Sequence, residues 1–120
     1  MAKIMIVDDS KTSRKIIKTV CEENGYEIAA EAVNGEDAVA KYKEVRPDVV
    51  TLDITMPVLD GISALKDIIA YDKDAKVIMI TAAGQKGKVV ECVEAGAKDF
   101  LTKPFDKKEI IKVINKVAGV

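Results

Sequence analysis

Apolar and polar residues follow two periods in this chain, and the switches between them mark out its elements. Lys3–Val7 is a short continuous apolar run. Ser10 or Asp9 can then cap a helix with apolar positions Ile16, Ile17, Val20 and Cys21, stopped at Asn24-Gly25. Glu27–Ala32 alternates, with Ile28, Ala30 and Ala32 on one face, which predicts a strand near a sheet edge. Asn34 caps a second helix carrying Ala38, Val39, Tyr42 and Val45; it ends before Pro47, because a residue preceding proline disfavours helical backbone. Val49–Leu52 reads as a third strand, and the loop ITMPVLDG leads to a helix bearing Ile62, Leu65, Ile68 and Ile69. Val77–Ile80 is a fourth strand, followed by a helix over Gln85–Ala95 with Val89, Val90 and Val93, closed by Gly96. Phe100–Thr102 is a fifth strand. Asp106 and Glu109 form a capping-box start for the last helix, whose stripe is Ile110, Ile111, Val113, Ile114 and Val117.

Strict alternation of strand and helix predicts an α/β fold, a parallel sheet with helices on both faces. Right-handed crossovers leave few topologies, so the expectation is a doubly wound (βα)5 three-layer sandwich. No solenoid repeat, low-complexity stretch or linker interrupts the pattern, and residues 1–120 read as one domain without an output domain. A chain of this length buries roughly 60–70% of the surface its unfolded form exposes, enough for a core without staples.

Four of the apolar runs stop at reactive residues. IMIV ends at Asp8-Asp9, VVTL at Asp53, VIMI at Thr81 and DFLT at Lys103-Pro104. In a parallel sheet these ends share one edge, where ligands of open α/β sheets bind. Singly each residue has an ordinary role: helix cap, loop acid, strand residue, surface cation. Together the three carboxylates repel, each pair by roughly 4 kcal/mol at ~4 Å and an effective dielectric near 20. Such a cluster needs a counter-ion or raised pKa values. Lys103 supplies one positive charge, and a single divalent cation neutralises the rest. The chain has no histidine, so oxygen donors alone point to Mg²⁺ rather than zinc. A carboxylate beside such an ion can be a nucleophile, and phosphoryl transfer needs its equatorial oxygens neutralised, for which Mg²⁺, Lys103 and the Thr81 hydroxyl are suited. Spacing does not select the attacking carboxylate. The acidic pair reads as the metal anchor and solitary Asp53 as the acceptor.

Composition removes competing classes. Net charge is −1, from 19 basic and 20 acidic residues, which gives no field to draw nucleic acid or an anionic membrane. No segment approaches the ~18 apolar residues of a membrane span. The opening MAKIMIV is too short for a signal peptide, so the expected location is cytoplasmic. Cys21 and Cys92 sit on amphipathic helices and read as buried reduced thiols.

In order, IMIVDDS, EAVNGEDAV, PDVVTLDITMPVLDG, VIMITAAG, EAGAKDF and LTKPF resemble the receiver domain of two-component response regulators over the whole chain. Among these, the chain is similar to the single-domain chemotaxis regulators of the non-enteric type. The resemblance, not the periodicity, implies a flavodoxin-like strand order 2-1-3-4-5. It implies Asp53 as phospho-acceptor and Mg²⁺, with Mn²⁺ as a substitute, bound by Asp9, Asp53 and the backbone carbonyl of Thr55, with Asp8 acting largely through water. It further implies Lys103 on the phosphoryl oxygens, Thr81 moving its hydroxyl onto the phosphoryl group, Phe100 turning inward behind it, and a cis Lys103–Pro104 peptide. Phe100 reads equally well as an ordinary core aromatic. The switched surface is then the helix over 85–95, the strand over 100–102 and the helix over 107–117.

The family often has tyrosine where Phe100 stands. Thr55 and Ala83 replace the Asn and Glu of enteric members, beside the water that attacks the acyl phosphate and where phosphatases touch. The implied function is a switch that catalyses only its own phosphoryl transfer and dephosphorylation. Its implied partners are a chemotaxis histidine kinase, a flagellar or archaellar motor-switch or adaptor protein, and an aspartyl-phosphate phosphatase, with no nucleic acid, no membrane insertion and a monomeric state. A phosphorelay intermediate serving a histidine phosphotransfer protein is the alternative. An aspartyl-phosphatase of the haloacid-dehalogenase type needs a second acid where Thr55 stands. A flavodoxin-like FMN carrier needs a phosphate loop where DDSKTSR stands, and stacking aromatics from a chain without tryptophan.

Overall fold

The computed structural model describes residues 2–82 and 84–119, with backbone only at Lys86. Five parallel strands, β1 (Lys3–Val7), β2 (Glu27–Ala32), β3 (Val49–Asp53), β4 (Val77–Thr81) and β5 (Asp99–Thr102), form one sheet in the order β2-β1-β3-β4-β5. The helices are α1 (Lys11–Glu23), α2 (Gly35–Val45), α3 (Gly61–Tyr71), α4 (Lys86–Ala95) and α5 (Lys107–Ala118). β3 and β4 each run one residue beyond the predicted end, so Asp53 and Thr81 are the last residues of their strands. Among the described residues, no helix is long and apolar enough to cross a membrane.

Burial explains why some strands read as unbroken apolar runs. All five residues of β3 and of β4, and the last four of β1, are buried, because helices cover both faces of the sheet's middle. Met5, Val7, Leu52 and Met79 pack beneath α2, α3 and α4, with Ala38, Tyr42, Leu65, Ile68 and Cys92. Ile4, Ile6, Ile78 and Ile80 pack beneath α1 and α5, with Ile17, Val20, Ile110 and Ile114. One polar side chain lies inside the second layer. Thr51 is paired in register between Ile6 and Ile78, wholly buried, and its hydroxyl has no hydrogen-bond partner.

Edge strands follow different rules. β2 lies at an edge as its alternation predicts, but Ile28, Ala30 and Ala32 do not share a face. The pairing slips between Ile4 and Met5, so that Ile4 faces Ile28 while Met5 faces Ala30. This bulge sends Ile28 into the α1–α5 layer and leaves Ala30 and Ala32 in the other. The predicted stripe of α4 is also corrected. Cys92 is its wholly buried side chain, whereas Val90 and Val93 are 58% and 52% exposed. α4 begins one residue later than the pattern suggests, with Gln85 as its cap.

Helix ends are set locally. Ser10, Asn34 and Asp60 accept the backbone N–H three residues on, from Ser13, Asp37 and Ser63. Asp106 caps α5 through the Lys108 N–H, one residue short of the capping-box bond. At the end of α2, Arg46 takes left-handed backbone with φ 45°, ahead of Pro47.

Candidate functional site

The strand ends position the site. Asp8 follows β1 and donates its N–H to the Ala32 carbonyl at 3.1 Å, which fixes the first turn after the strand. The side chain of Asp8 is wholly buried, with Oδ1 accepting the Ser10 N–H at 2.8 Å. Arg14 reaches back from α1 to the Asp8 carbonyl at 2.8 Å. Asp9 stands exposed at the rim. Asp53 closes β3 at 7% exposure, and an oxygen from each of Asp8, Asp9 and Asp53 lies within 4.8 Å of the others. At that separation and an effective dielectric near 20, each pair repels by about 3.5 kcal/mol.

Lys103 answers part of that charge. Its N–H donates to the Thr81 carbonyl at 2.8 Å, which ties the residue after β5 to the end of β4. Its Nζ lies 3.2 Å from Asp53 Oδ2, in hydrogen-bonding alignment, and 3.1 Å from Asp8 Oδ2, as a charge contact only. The buried Asp8 Oδ2 therefore has the Lys103 ammonium as its partner. Burial, and then the charge of Asp8, raise the Asp53 pKa above the usual carboxylate value, against the opposing pull of Lys103. Burial works to lower Lys103, but its contacts with Asp8 and Asp53 outweigh this and hold it above its ordinary value. The Lys103–Pro104 peptide is cis.

The remaining predicted residues sit around this centre in different ways. Thr55 is exposed and donates its N–H to Asp53 Oδ1 at 3.2 Å. Thr81 is 6% exposed, with its hydroxyl 3.4 Å from that of Thr102. Phe100 is half-buried against the α2–α3–α4 layer. Thr81 and Phe100 line a largely apolar cavity of about 310 Å³, together with Ala82, Gln85 and Val89. Ala83 lies outside the described residues. Both thiols are wholly buried, and burial pushes Cys21 up to about 12.

Three participants are not signalled by the sequence pattern. Gln85 bridges the loops after β3 and β4, donating from Nε2 to Thr55 Oγ1 at 2.8 Å and accepting the Ala82 N–H on Oε1 at 2.6 Å. Gly61 lies so near β3 that an added Cβ would fall 1.9 Å from the Asp53 carbonyl oxygen. Only the Asp-Gly pair ahead of α3 hinted at a constraint there. Val58, in the loop after β3, holds φ 70°, a conformation that costs a β-branched residue on the order of 1–3 kcal/mol.

The oxygen donors of Asp8, Asp9 and Asp53 could hold a hard cation. Beside it stands a carboxylate oriented on both oxygens. That combination can receive a group carrying several negative oxygens. Residues 4–115 match the family described as the response regulator receiver domain. Chemotaxis protein CheY of Bacillus subtilis is 51% identical over 114 residues, covering 95% of each chain. Chemotaxis protein CheY of Thermotoga maritima is 47% identical over 116 residues, covering 97% of each. Among solved structures, a chain of the CheX-CheY-BeF3-Mg²⁺ complex from Borrelia burgdorferi superposes with a TM-score of 0.93 at 42% identity, covering 97% of this chain and 88% of that one.

Proposed function

The chain belongs to the response regulator receiver domain family, as a chemotaxis response regulator of a two-component system, and from that premise we propose that Asp53 is its phosphoryl acceptor. The observation that carries the assignment is the pairing at Asp53 itself. Thr55 N–H donates to Oδ1 and Lys103 Nζ to Oδ2, each at 3.2 Å, so the carboxylate is aimed while Asp8 and Asp9 stand beside it. Asp9, Asp53 and the Thr55 carbonyl would hold Mg²⁺ or Mn²⁺, with Asp8 acting largely through water; three carboxylates that each offer an oxygen within 4.8 Å of the others support that fit. When bound, the ion withdraws charge from the phosphoryl oxygens.

A carboxylate oxygen of Asp53 attacks the phosphorus of a phosphohistidine on the kinase. The N–P bond breaks as the O–P bond forms, and the imidazole keeps the electron pair of the broken bond. Lys103 holds a phosphoryl oxygen as a compact point charge. Later a water attacks the phosphorus, returning inorganic phosphate and the free carboxylate. In the phosphorylated state Thr81 turns its hydroxyl from Thr102 toward the phosphoryl group, and Phe100 moves into the cavity behind it. Phosphorylation changes the charge on Asp53 from one to about two negatives, and only contacts that differ between the two states shift the equilibrium. The face of α4, β5 and α5, with Val90 and Val93 already exposed, then binds a motor-switch or adaptor protein. The protein acts in the cytoplasm as a monomer, receives its phosphoryl group from a chemotaxis histidine kinase, and is reset by its own hydrolysis and by an aspartyl-phosphate phosphatase.

Incubation with acetyl phosphate and Mg²⁺ adds one labile phosphoryl group by intact mass, and neither Asp53→Asn nor EDTA-treated protein takes it up. Stoichiometric labelling of Asp53→Asn would sink the acceptor assignment, and labelling that survives EDTA would sink the metal requirement.

A further inference from the structure

A series of hydrogen bonds runs from the acidic pocket to the first turn of α4 without passing through the side chains of Thr81 or Phe100. Asp53 Oδ1 accepts the Thr55 N–H at 3.2 Å. Thr55 Oγ1 accepts from Gln85 Nε2 at 2.8 Å, across thirty residues of sequence. Gln85 Oε1 in turn accepts the Ala82 N–H at 2.6 Å. The Gln85 carbonyl completes the route, accepting the N–H groups of Lys88 at 3.0 Å and Val89 at 3.2 Å. Gln85 occupies the cap position of α4, with φ −104° and ψ 22°, yet its side chain makes no capping bond to the helix. Its carboxamide is spent on joining the two loops instead.

We propose that Gln85 is a positioning residue that couples the state of Asp53 to α4, as a route separate from the Thr81–Phe100 switch. The coupling rests on Asp53 being the acceptor. A group added at Asp53 changes what its Oδ1 offers the Thr55 N–H. Movement of Thr55 draws its hydroxyl from Gln85 Nε2, and the Gln85 carbonyl then loosens from Lys88 and Val89. The energetics suit a switch. Each of these bonds is worth about fivefold in an equilibrium, so one new set of contacts at Asp53 can displace them. α4 is also lightly anchored: Val90 and Val93 face solvent, and the cavity of about 310 Å³ lies against its first turn at Val89.

The test is amide hydrogen exchange and amide chemical shift on the full chain, with and without beryllofluoride and Mg²⁺. Two variants break the series from opposite sides. Gln85→Met keeps side-chain length and removes both carboxamide bonds, and Thr55→Val removes the hydroxyl. In the parent protein, beryllofluoride shifts the Thr55 amide resonance and changes exchange at Lys88 and Val89 by about fivefold, the effect of one such bond. In both variants the backbone amide at position 55 still responds, while the change at Lys88 and Val89 falls below about twofold. Gln85→Glu, which keeps an acceptor for the Ala82 N–H and can accept a hydrogen bond from the Thr55 hydroxyl, restores part of the response. A full response at Lys88 and Val89 in either Gln85→Met or Thr55→Val overturns the coupling, as does a parent in which Thr55 shifts and the α4 amides do not. A parent whose Thr55 resonance ignores beryllofluoride refutes the acceptor reading and takes the coupling with it. Unperturbed shifts across β1, β3 and β4 verify that each variant is folded.

Discussion

Two glycines in this chain should respond to the same substitution with opposite signs. At Gly61 an added methyl would lie 1.9 Å from the Asp53 carbonyl oxygen, 2.7 Å from Ile54 Cα and 2.8 Å from the Asp53 carbonyl carbon, where ordinary contact begins at 3.4 Å. Every one of those atoms is backbone, so no rotamer change relieves the overlap. The end of β3 and the start of α3 must separate by more than an ångström, which also strains the 2.8 Å bond from the Gly61 N–H to the Ile54 carbonyl. Overpacking of this kind costs roughly 1–3 kcal/mol, and the loss of that bond adds about 1 more. Gly61→Ala is therefore expected to lose about 2–4 kcal/mol. For a chain of this size that lowers Tm by roughly 8–16 °C. At Gly87, inside α4, nothing lies within 4 Å of the built Cβ. Gly87→Ala gains the helix propensity of alanine, up to about 1 kcal/mol, and raises Tm by a few degrees.

Thermal melts followed by circular dichroism, with urea midpoints as a check on the sign, separate the two. The displacement at Gly61 also moves Asp53, the proposed phosphoryl acceptor. A misplacement of about 1 Å can cost ~10²-fold in rate, so phosphoryl uptake from acetyl phosphate by Gly61→Ala should fall tenfold or more. A Gly61→Ala protein melting within about 3 °C of the parent would refute the close-approach argument. So would two variants that shift in the same direction.

Thr51→Val removes the buried hydroxyl that has no partner, at nearly constant shape, and is expected to stabilise by about 1–2 kcal/mol; a lower urea midpoint than the parent's would show that the hydroxyl is satisfied in solution. Cys21 gives a pH dependence with a defined sign. Burial, and then the charge of Glu22, raise its thiol from 9.0 to about 12, so the folded state favours the neutral thiol. Its contribution is whole below the unfolded value of 9.0 and is lost as pH rises through that value toward 12. Parent protein should thus lose more stability than Cys21→Ala between about pH 8 and pH 10.5, and equal slopes would count against the shift. At about pH 8 both thiols should ignore Ellman's reagent until urea unfolds the chain.

The parts of this fold that were legible in the sequence are those written in a period. β1, β3 and β4 are covered on both faces, so they read as unbroken apolar runs, and a run's end marks where the strand leaves the sheet. Parallel strands put those ends on one edge whatever their order, which is why Asp8, Asp53, Thr81 and Lys103 could be grouped before the topology was known. The order itself is not periodic and came from resemblance. Illegible features are those that depend on what lies opposite. The alternation of β2 is intact in the sequence, yet a slip between Ile4 and Met5 splits Ile28 from Ala30, since the cost of a bulge is decided by the partner strand. α4 carries enough valine for a stripe, but it packs near an edge with few neighbours, and Cys92 rather than Val90 or Val93 fills the contact. The Gln85 bridge has no period at all. A carboxamide at the start of a helix predicts nothing until a loop thirty residues earlier supplies the hydroxyl it reaches. The phosphoryl chemistry needs charges gathered at strand ends, which local patterning reveals, whereas signalling needs contacts between loops, which only the closed fold creates.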